Sequence, residues 1–149
     1  MKYAHNIEIR VFCKEDEDEN AIISVLHKLI NFDFEKEKII IEKKMAETFE
    51  DRKLDIITVF TKKQSHTTKF IEDLFFNLSL EQKEMLKRQL NTRLDEKLHF
   101  YLRLDKPKLL NGEYLITDGG DCFHIKICIA AYPHKYEVAR EIVLKMLVI

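Results

Sequence analysis

With 149 residues and 46% hydrophobic side chains, the chain is long enough for one domain with a buried core, and too apolar to be disordered over most of its length. Its 25 Lys plus Arg against 26 Asp plus Glu leave a formal charge of -1, so the total announces neither nucleic acid nor an anionic membrane as a partner. Any electropositive surface must come from uneven placement.

From Tyr3 to Cys13, Ile7, Ile9 and Val11 alternate with Glu8, Arg10 and Phe12, which predicts a half-buried strand. The acidic run from Lys14 to Glu19 leads into Ile22, Val25, Leu26, Leu29 and Ile30 at helical spacing. It reads as a helix start, with Asp16 and Glu19 as the cap and third-position pair, rather than as a metal or partner site. Residues Lys38 to Met45 and Leu54 to Thr61 are rich in β-branched side chains and predict a hairpin across the polar segment Ala46 to Lys53.

From His66 onward, Phe70, Ile71, Leu74, Phe75 and Leu78 mark an amphipathic helix. Ser79 with Gln82 is a capping-box signature for another, with Leu80, Met85, Leu86 and Leu90 on its apolar face. Phe70, Phe75 and Phe76 are expected in the core, where each buried ring contributes about 1.5 to 3 kcal/mol.

Leu98, Phe100, Leu102 and Leu104 alternate with His99, Tyr101, Arg103 and Asp105, a strand with one apolar and one polar aromatic-basic face. Pro107 ends it or confines it to an edge. Asn111-Gly112 between Leu109-Leu110 and Tyr114-Leu115 predicts a tight turn in a short antiparallel meander, and Asp118-Gly119-Gly120-Asp121 a second. Over Cys122 to Tyr132, Phe123, Ile125, Ile127 and Ile129 alternate with Cys122, His124, Lys126 and Cys128; after Pro133 a closing helix carries Tyr136, Ala139, Ile142, Val143, Met146 and Leu147.

The resulting order, β-α-β-β-α-α-β-β-β-α, predicts a single α+β domain over residues 1–149, a largely antiparallel sheet with helices on one face. The uncovered face is where function is expected.

Several chemistries have no residues to carry them. No apolar stretch approaches the roughly 20 residues of a membrane helix, and the opening residues form no secretory signal, so the cytoplasm is the expected compartment. The three glycines, Gly112, Gly119 and Gly120, allow neither a dinucleotide-binding turn nor a phosphate-cradling loop, and no serine stands in a nucleophile elbow. The three cysteines, Cys13, Cys122 and Cys128, match no disulfide framework and are expected as free thiols. Cys122, His124 and Cys128 share one strand face with His99, but two cysteines about 20 Å apart along a strand cannot share one zinc. No metal, no cofactor and no catalysis are expected.

Local charge is more informative. Residues 36–69 hold nine Lys plus Arg and six Asp plus Glu, and residues 83–108 hold eight and four. Arg52, Lys53, Lys62 and Lys63, with Arg103, Lys106 and Lys108 around Pro107, are candidates for a basic stripe, with Lys126 on the neighbouring strand and Tyr101 and His99 available to stack on bases. The same residues also read as an ordinary solvated surface whose charges protect sheet edges. The aromatic signature of an RNA-recognition motif is missing, because its glycines are.

The segment Phe100 to Lys106, followed by Gly112-Glu113, Asp118, Asp121 and Ile125-Lys126-Ile127, resembles an archaeal RNA-binding family labelled predicted exosome subunits. The opening His5 to Phe12 and its acidic helix start fit the same pattern. The resemblance implies a fold similar to the L-five type of ribosomal protein, RNA as partner, and a role in RNA processing beside exosome- or ribosome-associated proteins. It also implies phosphate contacts by Arg103 and Lys106, with Asp105 orienting them. The turn Thr48 to Lys53 lacks a glycine expected in relatives, so Phe49, Arg52 and Lys53 would have to supply side-chain contacts there. The competing reading is a protein-protein adaptor with no direct RNA binding.

Overall fold

The computed structural model describes residues 1–48, 50 and 52–149. In chain order the elements are β1 (Ala4–Lys14), α1 (Glu19–Leu29), β2 (Ile41–Glu47), β3 (Lys53–Thr61), α2 (Gln64–Asn77), α3 (Leu80–Arg88), α4 (Leu90–Arg93), β4 (His99–Asp105), α5 (Lys106–Leu110), β5 (Cys122–Ile129) and α6 (Tyr136–Met146). The strands form one sheet of five in the order β2-β3-β1-β5-β4, and every neighbouring pair is antiparallel. The expected α+β class and its antiparallel sheet are those observed.

Strand parity decides the layers. The inward positions Ile7, Ile9 and Val11 of β1, Ile57 and Val59 of β3, Phe100, Leu102 and Leu104 of β4, and Phe123, Ile125 and Ile127 of β5 are almost fully buried. They pack with the apolar stripes of the helices, among them Leu26, Phe70, Ile71, Leu74, Phe75, Leu86, Val143 and Met146. The opposite face of β1, β5 and β4 carries the alternate residues, which apart from the buried Cys122 are partly or fully exposed.

The helix starts follow their caps. Asp18, not Asp16, begins α1 by accepting a hydrogen bond from the Ala21 N–H at 3.2 Å, while the Glu17 carboxylate accepts from the Lys14 N–H in the turn before it. Ser79 caps α3 through the Gln82 N–H, as its spacing suggests, but the Gln82 side chain does not reach back. It donates instead to the Tyr114 carbonyl and accepts from the Ile116 N–H, tying α3 to the segment before β5. Phe76 is not in the core: it stands 77% exposed, about 100° around the helix from Phe75.

The segment after β4 departs from the expected meander. Asp105 caps α5 by accepting from the Lys108 N–H at 3.0 Å, and Pro107 occupies its first turn, where a missing N–H costs nothing. Asn111-Gly112 then closes this helix, with Gly112 at φ 83, instead of joining two strands. What remains of the extra strand is a single bridge, Leu104 to Ile116.

Candidate nucleic-acid interface

On the open face, register sets the neighbours. One row runs Thr58, Arg10, His124, Arg103 across β3, β1, β5 and β4; the next runs Phe60, Glu8, Lys126, Tyr101. A third places Asn6 beside Cys128 and His99. With strands about 4.8 Å apart, Arg10 and Arg103 flank His124 at a spacing of roughly 10 Å. Phe12, next to Ile56, and Phe60 add apolar rings, 40% and 50% exposed.

The aromatic side chains of this face form a ladder. His99 and Tyr101 have ring centroids 6.2 Å apart, and Tyr101 and His124 6.0 Å. Asp95 fixes one end: it accepts from the Tyr101 hydroxyl at 3.0 Å and from the His99 N–H at 2.8 Å. Burial works to raise the Asp95 carboxyl, and these donors outweigh it and hold it low. Burial, then the Asp95 carboxylate, push the Tyr101 phenol up. Burial, then Arg103 and Arg10, push the His124 imidazole down, so it is neutral at pH 7.

The sequence candidates separate into groups. Arg103, Tyr101, His99 and Lys126 lie together on the open face. Lys106 does not: it is only 2% exposed, and its ammonium donates to the Phe12 carbonyl at 2.7 Å, to Glu17 at 3.0 Å and lies 2.9 Å from Asp121. This expectation is corrected, since a cation so enclosed by carboxylates is an internal tie between β1, the α1 entry and the β5 entry. Asp105 likewise serves as the α5 cap, not as an orienting group for Arg103.

Lys108 is on the exposed side of α5, 3.7 Å from Glu113. Arg52 pairs with Glu50 near the hairpin tip, and Lys53 begins β3. Lys62 and Lys63 follow the other end of β3, with Lys63 3.7 Å from Glu37. A nine-residue strand spans roughly 30 Å, so the hairpin pair and the Lys62-Lys63 pair share no contact. Phe49 lies outside the described residues.

Arg10, Arg93, Phe12 and Phe60 were not among the candidates. Arg10 and Phe12 carried a signal, their outward parity in the first strand, but only strand order reveals that β1 lies next to β5. Arg93 reaches the face from α4 and carries no such pattern. Cys122 and Cys128 are free thiols pushed up by burial. Among the described residues no group of three His, Cys, Asp or Glu is placed to hold a metal ion, and no helix is long and apolar enough to cross a membrane.

A protein-family model described as RNA binding matches residues 6–129, and the chain belongs to that family. It is 30% identical over 134 residues to the RNA-binding protein PAB1135 of Pyrococcus abyssi, covering 90% of this chain and 87% of that protein. Among solved structures it is similar to Mth689, a DUF54 protein from Methanothermobacter thermautotrophicus, at 28% identity and TM-score 0.79 over 97% of this chain and 98% of that one. Protein AF2318 from Archaeglobus fulgidus matches at 25% identity and TM-score 0.82 over 96% and 99% of the two chains.

Proposed function

We propose that this protein binds RNA without catalysis, on the open face of its sheet. The observation that carries the reading is the outward row Arg10, His124, Arg103 with Lys126, Tyr101 and His99 beside it, left uncovered while the helices bury the other face. Cations on rigid strands position phosphates, and the rings of Tyr101, Phe12 and Phe60 offer sequence-tolerant stacking, which favours single-stranded or looped RNA over regular duplex. Membership in the RNA-binding family supports the same partner. The finer role, an accessory factor in RNA processing beside exosome- or ribosome-associated proteins, is supported by the sequence resemblance.

The test is equilibrium binding of labelled single-stranded RNA between about 50 and 200 mM salt. Neutralising about four phosphates gives a logarithmic slope near -3, and the double variant Arg10→Gln, Arg103→Gln should reduce its magnitude by about 1.4. A slope unchanged in that variant would remove the open face from the reading. If wild type binds no RNA at low salt, the adaptor reading takes its place.

A further inference from the structure

At the edge strand β4 the open face holds a hollow of about 480 Å³, lined in part by Gln89, Arg93, Tyr101, Arg103, Asp118 and His124. That volume is within the range of small-ligand sites. Arg93 forms its inner wall, with its side chain only 12% exposed. Its guanidinium is already oriented: Nε donates to Gln89 Oε1 at 2.9 Å and Nη1 to the Tyr101 carbonyl at 3.3 Å. The remaining nitrogen, Nη2, lies 3.6 Å from Asp118 Oδ1, too far for a good hydrogen bond.

Arg103 approaches the same place from β4, donating to the Asp118 backbone carbonyl at 3.1 Å. Burial disfavours the Arg93 charge, Asp118 works against that, and Arg103 is close enough to add to it; Arg103 and Arg10 both press on His124. Among the described residues the carboxylate paired with Arg93 is that of Asp118, whose side chain is 93% exposed, and such a surface pair is weak and readily displaced. Two guanidiniums thus face one hollow, and the carboxylate between them is loosely held.

We propose that this hollow takes the terminal phosphomonoester of an RNA chain, an inference that rests on the RNA-binding reading above. A terminal phosphate carries about -1.5 to -2 charge at pH 7, against one negative charge for an internal phosphodiester, and offers three unesterified oxygens to Nη2 of Arg93 and to the Arg103 guanidinium. Position agrees with charge. The hollow lies at the edge strand β4, between His124 of β5 and the side chains of Arg93 and Asp118, so a chain laid across β1, β5 and β4 reaches it last. Tyr101 at its rim is placed to stack on the terminal base.

The experiment compares one eight-nucleotide single-stranded RNA with a 5′-phosphate, with a 3′-phosphate, or with hydroxyls at both ends. Wild type should bind one phosphorylated form about tenfold more tightly than the hydroxyl form, the gain expected of an added charge-assisted contact, and the favoured form identifies the end. The ratio should fall to about one in Arg93→Gln and in Arg103→Gln. Asp118→Asn, which removes the competing carboxylate, should raise it about threefold. Each ratio is taken within one variant, so partial unfolding of Arg93→Gln cancels, and the more exposed Arg103 supplies a second variant. Equal affinity of wild type for all three forms overturns the proposal while leaving the open-face reading intact. Absence of binding to any of them at low salt overturns both.

Discussion

Replacing Lys106 with Met separates a structural cation from an RNA contact. Met keeps most of the apolar stem volume and removes only the ammonium, which holds the Phe12 carbonyl, Glu17 and Asp121 together. Breaking a buried ion pair by deleting one partner costs about 3 to 5 kcal/mol. Here the loss is smaller, because the Asp121 side chain is 50% exposed and regains water, and Glu17 retains the Lys14 N–H at 3.0 Å. About 2 to 3 kcal/mol is expected, which for a domain of this size lowers Tm by roughly 4 to 12 °C.

Burial works to lower the Lys106 pKa, and Asp121 and Glu17 outweigh it and raise it. Its contribution is therefore fully present below the ordinary lysine pKa and is lost only as pH rises through the raised folded value. The Tm difference should accordingly be flat between about pH 6 and 9. Thermal melts followed by circular dichroism measure it, and RNA binding at 20 °C, well below the transition, should retain the wild-type salt slope. An unchanged Tm together with a salt slope smaller in magnitude by about 0.7 would refute the reasoning and return Lys106 to the RNA surface.

Phe12→Ala and Phe60→Ala should each weaken single-stranded RNA binding by about 1 to 3 kcal/mol while lowering Tm by only about 2 to 4 °C, since both rings are about half exposed and each truncation loses about 1 kcal/mol of burial; fluorescence anisotropy with a melt as control checks this. Asp18→Ala should cost about 1 kcal/mol through loss of the α1 cap, read from urea unfolding, with no change in RNA affinity. His124 has a folded pKa below its unfolded value, so the unfolded chain binds the extra proton first. Its contribution is neutral above about pH 6.5 and destabilises as pH falls below that. A bound phosphate reverses this by favouring the imidazolium, so RNA affinity should rise as pH drops from about 7 to 5.5, with the His124 resonance titrating higher in the complex by NMR.

Most of the fold was legible because it is written in parity. Ile7, Ile9 and Val11, or Phe123, Ile125 and Ile127, alternate with polar residues so regularly that one buried and one open face follow from the period alone. The short α5 was not legible, because Lys106-Pro107 reads as the end of a strand until Asp105 is seen capping the Lys108 N–H. Lys106 failed for a related reason. Its sequence neighbours suggest a basic edge, but its charge is answered by Glu17, 89 positions earlier, through a contact that no local pattern encodes.

The candidate face divides along the same line. Parity places Arg10 of β1, Tyr101 and Arg103 of β4, and His124 and Lys126 of β5 outward. What makes them one surface is the strand order, which puts β1 and β5 side by side and leaves β4 as the edge. Counting charge in sequence windows therefore does not separate the lysines by their place in the sheet. It gives Lys53, Lys62 and Lys63 the same weight as Arg103, although the first begins β3 and the other two follow its far end. An outward residue on a central strand has lateral neighbours on both sides, so His124 meets Arg10 and Arg103 at once, whereas a residue beyond a strand end meets mainly water. The chemistry of this face is accordingly concentrated on β1, β5 and the inner side of β4, and substitutions there should alter RNA binding more than equal charge changes at the hairpin tip.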